Sequence, residues 1–163
     1  MPASAAVSAP LRIEIESPSD GPAVAALVLA AFGPGRFAKT AERVREQAGV
    51  AAGFVAHEDG RLIGSVRLWS IRVGDTPALF LGPIAVDAVN RRAGLGADLV
   101  QVCIDRARAI GAAGVLLIGD PPYFTRFGFR AVSGVTLPGP VDPARLMWLS
   151  IAGPAPVGVV RPA

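Results

Sequence analysis

The sequence predicts an α/β fold of the α+β kind, with helices flanking a mixed, mostly antiparallel sheet. Three observations predict it. Residues 53–87 alternate short apolar runs with turn clusters rich in Gly, Asp and Pro, the pattern of a β-meander. Residues 95–110 carry apolar side chains at helical spacing directly after that meander. Val115-Leu116-Leu117-Ile118 then returns as a short apolar strand. At 163 residues and 52% hydrophobic content, the chain fits one domain with a core of its own.

Taken in order, Leu11–Glu16 alternates apolar and polar residues, as a half-buried strand does. Ser17-Pro18-Ser19-Asp20 stops it and caps the next element, and Pro22 suits a first helical turn. A helix runs through Val24, Leu27, Val28, Ala31 and Phe32 until Gly33-Pro34-Gly35 breaks it. Lys39–Ala48 reads as a second, charged helix ended by Gly49. Phe54–His57 is a strand, residues 58–61 a turn, and Leu62–Arg72 the return strand. Residues 74–77 turn again into Ala78–Asp87. Within that strand Gly82-Pro83 marks a bulge or an unpaired stretch, because proline has no N–H for a ladder. Leu95, Leu99, Val102, Cys103, Ala107 and Ile110 form the expected buried stripe of the next helix, which Gly111 ends. Phe129–Val132 and Leu146–Ile151 are the expected last two strands, separated by a Gly/Pro-rich loop over 134–143. Residues 1–10 read as a flexible tail, 11–151 as the domain, and 152–163 as a Pro/Gly-rich tail with no assigned element.

Composition narrows the function classes. No apolar run approaches the roughly 20 residues of a membrane span, and the first ten residues lack the basic region of a secretory signal. One cysteine excludes an internal disulfide and fits a cytoplasmic setting. The net charge of +3 is small, and the arginines are scattered rather than massed with aromatics, which argues against a nucleic-acid partner.

The informative junction is Val86 to Gly96, where the third meander strand passes through Arg91-Arg92-Ala93-Gly94-Leu95-Gly96 into a helix. The first N–H groups of a helix lack intrahelical partners and sit at the positive end of its dipole. Glycines there let a bulky anion approach the backbone, so the junction reads as a pocket for a phosphate-bearing cofactor. A Walker loop is excluded because Lys39, the only lysine, lies elsewhere; a dinucleotide fingerprint lacks its glycine order. Val86, Arg91, Gly94 and Gly96 fall instead on the pattern Val-x-x-x-x-(Gln/Arg)-x-x-Gly-x-(Gly/Ala). Downstream, Gly119-Asp120-Pro121-Pro122-Tyr123-Phe124-Thr125-Arg126-Phe127-Gly128-Phe129 is a compact aromatic turn closing on Gly-Phe. Together with the upstream hairpin, this order over roughly 11–151 resembles the GNAT superfamily of acyl-CoA-dependent N-acyltransferases, in a branch of bacterial predicted N-acetyltransferases.

That resemblance implies a sheet splayed between its fourth and fifth strands, with the pantetheine arm of acetyl-CoA in the gap; Pro83 is an independent physical reason to expect one. It implies a cofactor site built from Ile84, Ala85, Val86, Arg91, Arg92, Ala93, Gly94, Leu95, Gly96, Ala97 and Phe124. The Val86 region would polarise the acetyl carbonyl, and the N–H groups of residues 92–97 would hold the pyrophosphate. The family's thiolate-protonating tyrosine falls on Phe124 here, and Tyr123, the only tyrosine, stands one residue earlier. Either Tyr123 is the catalytic acid, reaching the sulfur through a backbone shifted by Pro121-Pro122, or the step proceeds without a tyrosine and Tyr123 is a packed surface aromatic. Asp120, at the strand end above the cleft, either orients substrate and accepts a proton or caps the short helix, capping being the expected role, and His57 is expected to be a structural residue. No cluster has metal-ligand spacing. The acceptor side falls to Phe32–Lys39 and Val135–Arg145. The implied reaction is acetyl transfer from acetyl-CoA to an amine by direct attack, the acceptor being a small molecule or a protein N-terminus or lysine, and the enzyme a monomer or homodimer. A non-catalytic acyl-CoA-binding or sensing module stays open, as does a phosphate-binding protein unrelated to CoA.

Overall fold

The structure is a computed structural model that describes residues 11–35, 39–88 and 94–163. Strand β1 (Arg12–Ile15) is followed by helices α1 (Gly21–Phe32) and α2 (Thr40–Gln47). Then come β2 (Gly49–Glu58), β3 (Arg61–Val73), β4 (Thr76–Leu81) and the two-residue β5 (Ala85–Val86). Helix α3 (Leu95–Ala109) leads to β6 (Gly114–Ile118) and the single-turn α4 (Pro121–Phe124). Short strands β7 (Arg130–Ala131) and β8 (Val135–Thr136), then β9 (Leu146–Ser150) and β10 (Gly158–Pro162), complete the chain.

The main sheet runs β1-β2-β3-β4-β6-β9-β7, and the only parallel pair along that path is β4–β6. Asp59 and Gly60, both at positive φ (53° and 77°), make the tight turn between β2 and β3. That geometry matches the twist of the flanking strands.

Strand alternation assigns the two faces. Leu79, Leu81, Val115 and Leu117 pack on one side with α3, through Leu95, Leu99, Val100, Cys103, Ile104 and Ala107. Phe80 and Leu116 point the other way, to Val44 of α2 and Trp148. Val24 and Val28 of α1 cover Val55 and Ala85. The stripe of α3 is thus wider than the sequence predicts. Val100 and Ile104 join it, whereas Ile110, half exposed, lies beyond the last turn. On the outer strand β1, Ile15 is 72% exposed.

The Pro/Gly-rich stretch after Gly153 contains a strand. β10 pairs antiparallel with β3 at Ile71–Val73, beyond the point where β2 stops pairing at Ser70. It also pairs in parallel with β8, inside the expected loop. β10 therefore fills the edge of β3 that β2 leaves open, and it buries Val160 there.

Candidate functional site

β4 and β6 pair only at Leu79–Val115 and Phe80–Leu116, then separate. The cause lies at Gly82-Pro83. From Leu68 to Ser65 on β3 is three steps, while their partners Leu81 and Ala85 are four apart, so one extra residue bulges out. Trp69 holds the bulge by donating its indole N–H to the Gly82 carbonyl at 2.6 Å. After it, β5 resumes pairing with β3, and among the described residues no strand pairs with its other edge. The Asp87 N–H donates to the Ile63 carbonyl at 2.8 Å. Because antiparallel bonds alternate along a strand, the N–H of Val86 faces away from β3, toward the gap.

Between the separated strand ends lies a cavity of about 500 Å3. Leu81, Gly82, Pro83 and Ile84 form one wall; Leu117 to Asp120 and Phe124 form the other. Phe32, Lys39, Thr40 and Arg45 from the first two helices close it, together with Pro140, Val141, Asp142 and Arg145. The two segments expected on the acceptor side thus meet at one cavity. Thr40 ties them together by donating its hydroxyl to the Pro140 carbonyl at 2.5 Å. Gly119 and Arg145 exchange two bonds, one from each main-chain or guanidinium N–H, at 2.9 and 3.3 Å.

At the start of α3, Gly94 takes the left-handed conformation (φ 83°, ψ −1°), and its carbonyl accepts the Asp98 N–H at 2.9 Å. The N–H groups of Leu95, Gly96 and Ala97 are the ones such a helix leaves without intrahelical acceptors. The Leu95 side chain is buried in the core, so only its backbone is available to a ligand. Arg91, Arg92 and Ala93 lie outside the described residues.

Tyr123 and Phe124 diverge, as consecutive helical residues must. Phe124 is buried, lines the cavity and meets Phe129 edge-on at 5.8 Å. Tyr123 turns to the first turn of α3, where a β-carbon on Gly96 would lie 3.2 Å from its hydroxyl. Arg126 fixes the phenol ring, with its guanidinium 4.2 Å from the centroid and its Nε donating to the Tyr123 carbonyl at 3.1 Å.

Asp120 departs from its expected capping role. It occupies the N-cap position of α4, yet its side chain makes no capping bond. Pro121 and Pro122 offer no N–H, and those of Tyr123 and Phe124 go to the Asp120 carbonyl at 3.1 and 3.0 Å. Asp120 is exposed and stands among the residues that line the cavity. His57 is outside that lining and sits 3.4 Å from Asp20. Asp20 itself is held below the usual carboxylate range, first by the Ser17 backbone N–H at 2.8 Å, against partial burial and with help from the Ser17 hydroxyl and His57. Burial in α3 pushes the Cys103 thiol up to about 12. Among the described residues, no helix is long and apolar enough to cross a membrane.

Residues 22–129, from α1 to the closing Gly-Phe, match the model of the acetyltransferase (GNAT) family. The chain belongs to that family. By class it is an acyltransferase, and its splayed mixed sheet is the expected GNAT fold. YhbS, an uncharacterized N-acetyltransferase of Escherichia coli K12, is 35% identical over 123 residues, 74% of each chain. The crystal structure of Escherichia coli YhbS in complex with CoA superposes with a TM-score of 0.79 at 29% identity, covering 93% of this chain and 88% of that one. A GNAT family acetyltransferase from Brucella melitensis, in complex with acetyl-CoA, shares the fold at 24% identity and a TM-score of 0.73, over 93% and 95% of the two chains.

The GNAT motifs leave Arg45 and Thr40 unmarked. They stand on a helix whose sequence reads only as charged, and no spacing signal connects them to a loop 100 residues away.

Proposed function

We propose that this GNAT enzyme transfers the acetyl group of acetyl-CoA to an amine by direct attack on the thioester. The observation that carries the reading is the opening of β4 from β6 into the cavity, with the Val86 N–H facing the gap. The residues present fit an extended thioester with a phosphate tail. The apolar walls at Leu81–Ile84 and Phe124 suit a pantetheine arm, and the N–H groups of Gly94–Ala97 suit a pyrophosphate. Arg91, Arg92 and Ala93 would complete that loop. The likeness to YhbS in complex with CoA supports the same cofactor.

In this reading the Val86 N–H, with Ile84 and Ala85 fixing its strand, stabilises the oxyanion as the amine nitrogen bonds to the acetyl carbon. The C–S bond breaks, the amine loses a proton to water, and the departing sulfur takes one. Tyr123 is assigned that last proton, since Phe124 has none to give. From its place beside Gly96, the phenol must swing toward the sulfur as the complex forms. Cysteine usage supports a cytoplasmic setting for this chemistry.

Two measurements test the reading. CoA should raise the melting temperature, adding about 2.7 kcal/mol at 100 times its dissociation constant, and ATP should do much less. Acetyl-CoA with an accepted amine should release free thiol. A second reading, a CoA-binding module without turnover, is favoured by Phe124 at the family's tyrosine position; it predicts the melting shift and no thiol.

A further inference from the structure

Among the described residues, the cavity wall carries three cationic side chains, Lys39, Arg45 and Arg145, and two carboxylates, Asp120 and Asp142. Their settings differ. Asp142 accepts the Ala144 N–H at 3.0 Å and so serves its own turn. Asp120 stands where β6 ends, next to Gly119 at the mouth of the splay. Across the cavity, the Arg45 side chain is only 14% exposed, held by Glu42 at 3.4 Å and by the Phe80 ring 5.6 Å from its Cζ. Glu42 itself lines a small adjoining recess, which Arg45 shares, and not the cavity. A guanidinium fixed and desolvated in this way is a ready receptor for a planar anion. Lys39 and the first turn of α2 add positive potential on the same side.

We propose that the acceptor is a small amine that also bears an anionic group, an amino-acid-like molecule. Arg45, with Lys39 and Arg145, holds the anion, and Asp120 receives the amine at the thioester end. The inference rests on the acetyltransferase reading above. A cavity of about 500 Å3 is at the modest end for ligand sites, and the thioester takes part of it, which leaves room for a compact acceptor. Lys39, Arg45 and Arg145 outnumber Asp120 and Asp142 in the wall by one, and Glu42 pairs with Arg45, so placement of the anion on the cationic side rather than repulsion of cations sets the preference.

The test is kcat/KM, read as free-thiol release and referred to the neutral-amine fraction of each substrate, for free amino acids against their carboxamides, whose α-amines are less basic. Aminoalkyl phosphonates separate a phosphate-like anion from a carboxylate, and spermidine and kanamycin represent polycations. The acids should exceed the amides by roughly tenfold to a hundredfold, the usual value of hydrogen bonds to a charged group. Arg45→Gln should bring that ratio toward one, mainly by raising KM for the acids. Because Arg45→Gln also strips Glu42 of a partner, Lys39→Gln and Arg145→Gln on the exposed rim repeat the test, each lowering the ratio severalfold. A preference for phosphonates upholds the anionic acceptor and identifies its acid. Amides that match the acids, or polycations that surpass them, overturn this inference and leave the acetyltransferase reading standing. No thiol from any amine overturns both.

Discussion

On the proposed function, the two ends of the site are built from different materials. The cofactor end is backbone: the outward N–H of Val86, the bulge at Gly82-Pro83, and the first turn of α3 after a left-handed Gly94. The acceptor end is side chains, brought together from α2, the end of β6 and the segment before β9. Backbone recognition needs particular conformations, which only a few residue types allow, so it tolerates little change. Side-chain recognition needs charges at the right places, which many sequences supply, so it is free to vary with the acceptor. The contrast implies that substitutions at the first end harm binding of one invariant molecule, whereas those at the second change preference.

Tyr123→Phe strains that contrast most, because the residue belongs to neither end cleanly. As the acid it should cost about 10²-fold or more in turnover with CoA affinity nearly unchanged, the scale of a lost general acid. An undiminished kcat with weakened CoA binding, measured by calorimetry, would make it part of the cofactor end instead. Gly96→Val should come next. Its β-carbon already meets the phenol at 3.2 Å, and two further methyls should raise the CoA dissociation constant. An overpacking cost of a few kcal/mol corresponds to roughly tenfold to a hundredfold. Equal affinity with an unchanged apo melting curve would mean that the phosphate binds elsewhere. Arg91→Ala should have a smaller effect, severalfold in CoA affinity, shrinking as salt screens it; a salt-independent loss would point to a contact more specific than charge.

The smallest effect belongs to Asp20, which is not among the residues lining the cavity. Its carboxyl is held low in the folded state by the Ser17 N–H, so its contribution to stability is complete above the ordinary aspartate value and is lost as pH falls through the lowered one. Melting curves of Asp20→Asn should therefore lie below wild type at neutral pH and converge with it in acid. Divergence that grows in acid would reverse the sign of that contact.

The same division explains what can be read from the sequence. Glycines and prolines advertise backbone conformations, so the bulge at Pro83, the tight turn at Asp59-Gly60 and the junction at Gly94 are all legible in the residues alone. So are the strands of the meander, through their alternation, and the direction of Phe124 relative to Tyr123. Composition misleads where Gly and Pro do not break structure. Gly158 and Pro162 bound a true strand, since β10 pairs with β8 through Gly158 and Val159 and with β3 through Val160 to Pro162, where the proline comes only at its last position. The capping expectation for Asp120 fails because Pro121 and Pro122 remove the N–H groups it would serve. The convergence of Lys39, Arg45 and Arg145 is invisible in detail. Only the segments around two of them carry a signal, because long-range proximity of surface-type residues leaves no local pattern.

Cys103 bears on how such an enzyme can be followed. It is the chain's only cysteine, it is fully covered by the sheet side of α3, and its thiol stays protonated far above neutral pH. Thiolate is the form that reacts with disulfide and maleimide reagents, so the folded protein presents them with no sulfur of its own. A colorimetric thiol titration can then run continuously at high enzyme concentration, and a baseline that rises without acetyl-CoA reports unfolding rather than catalysis.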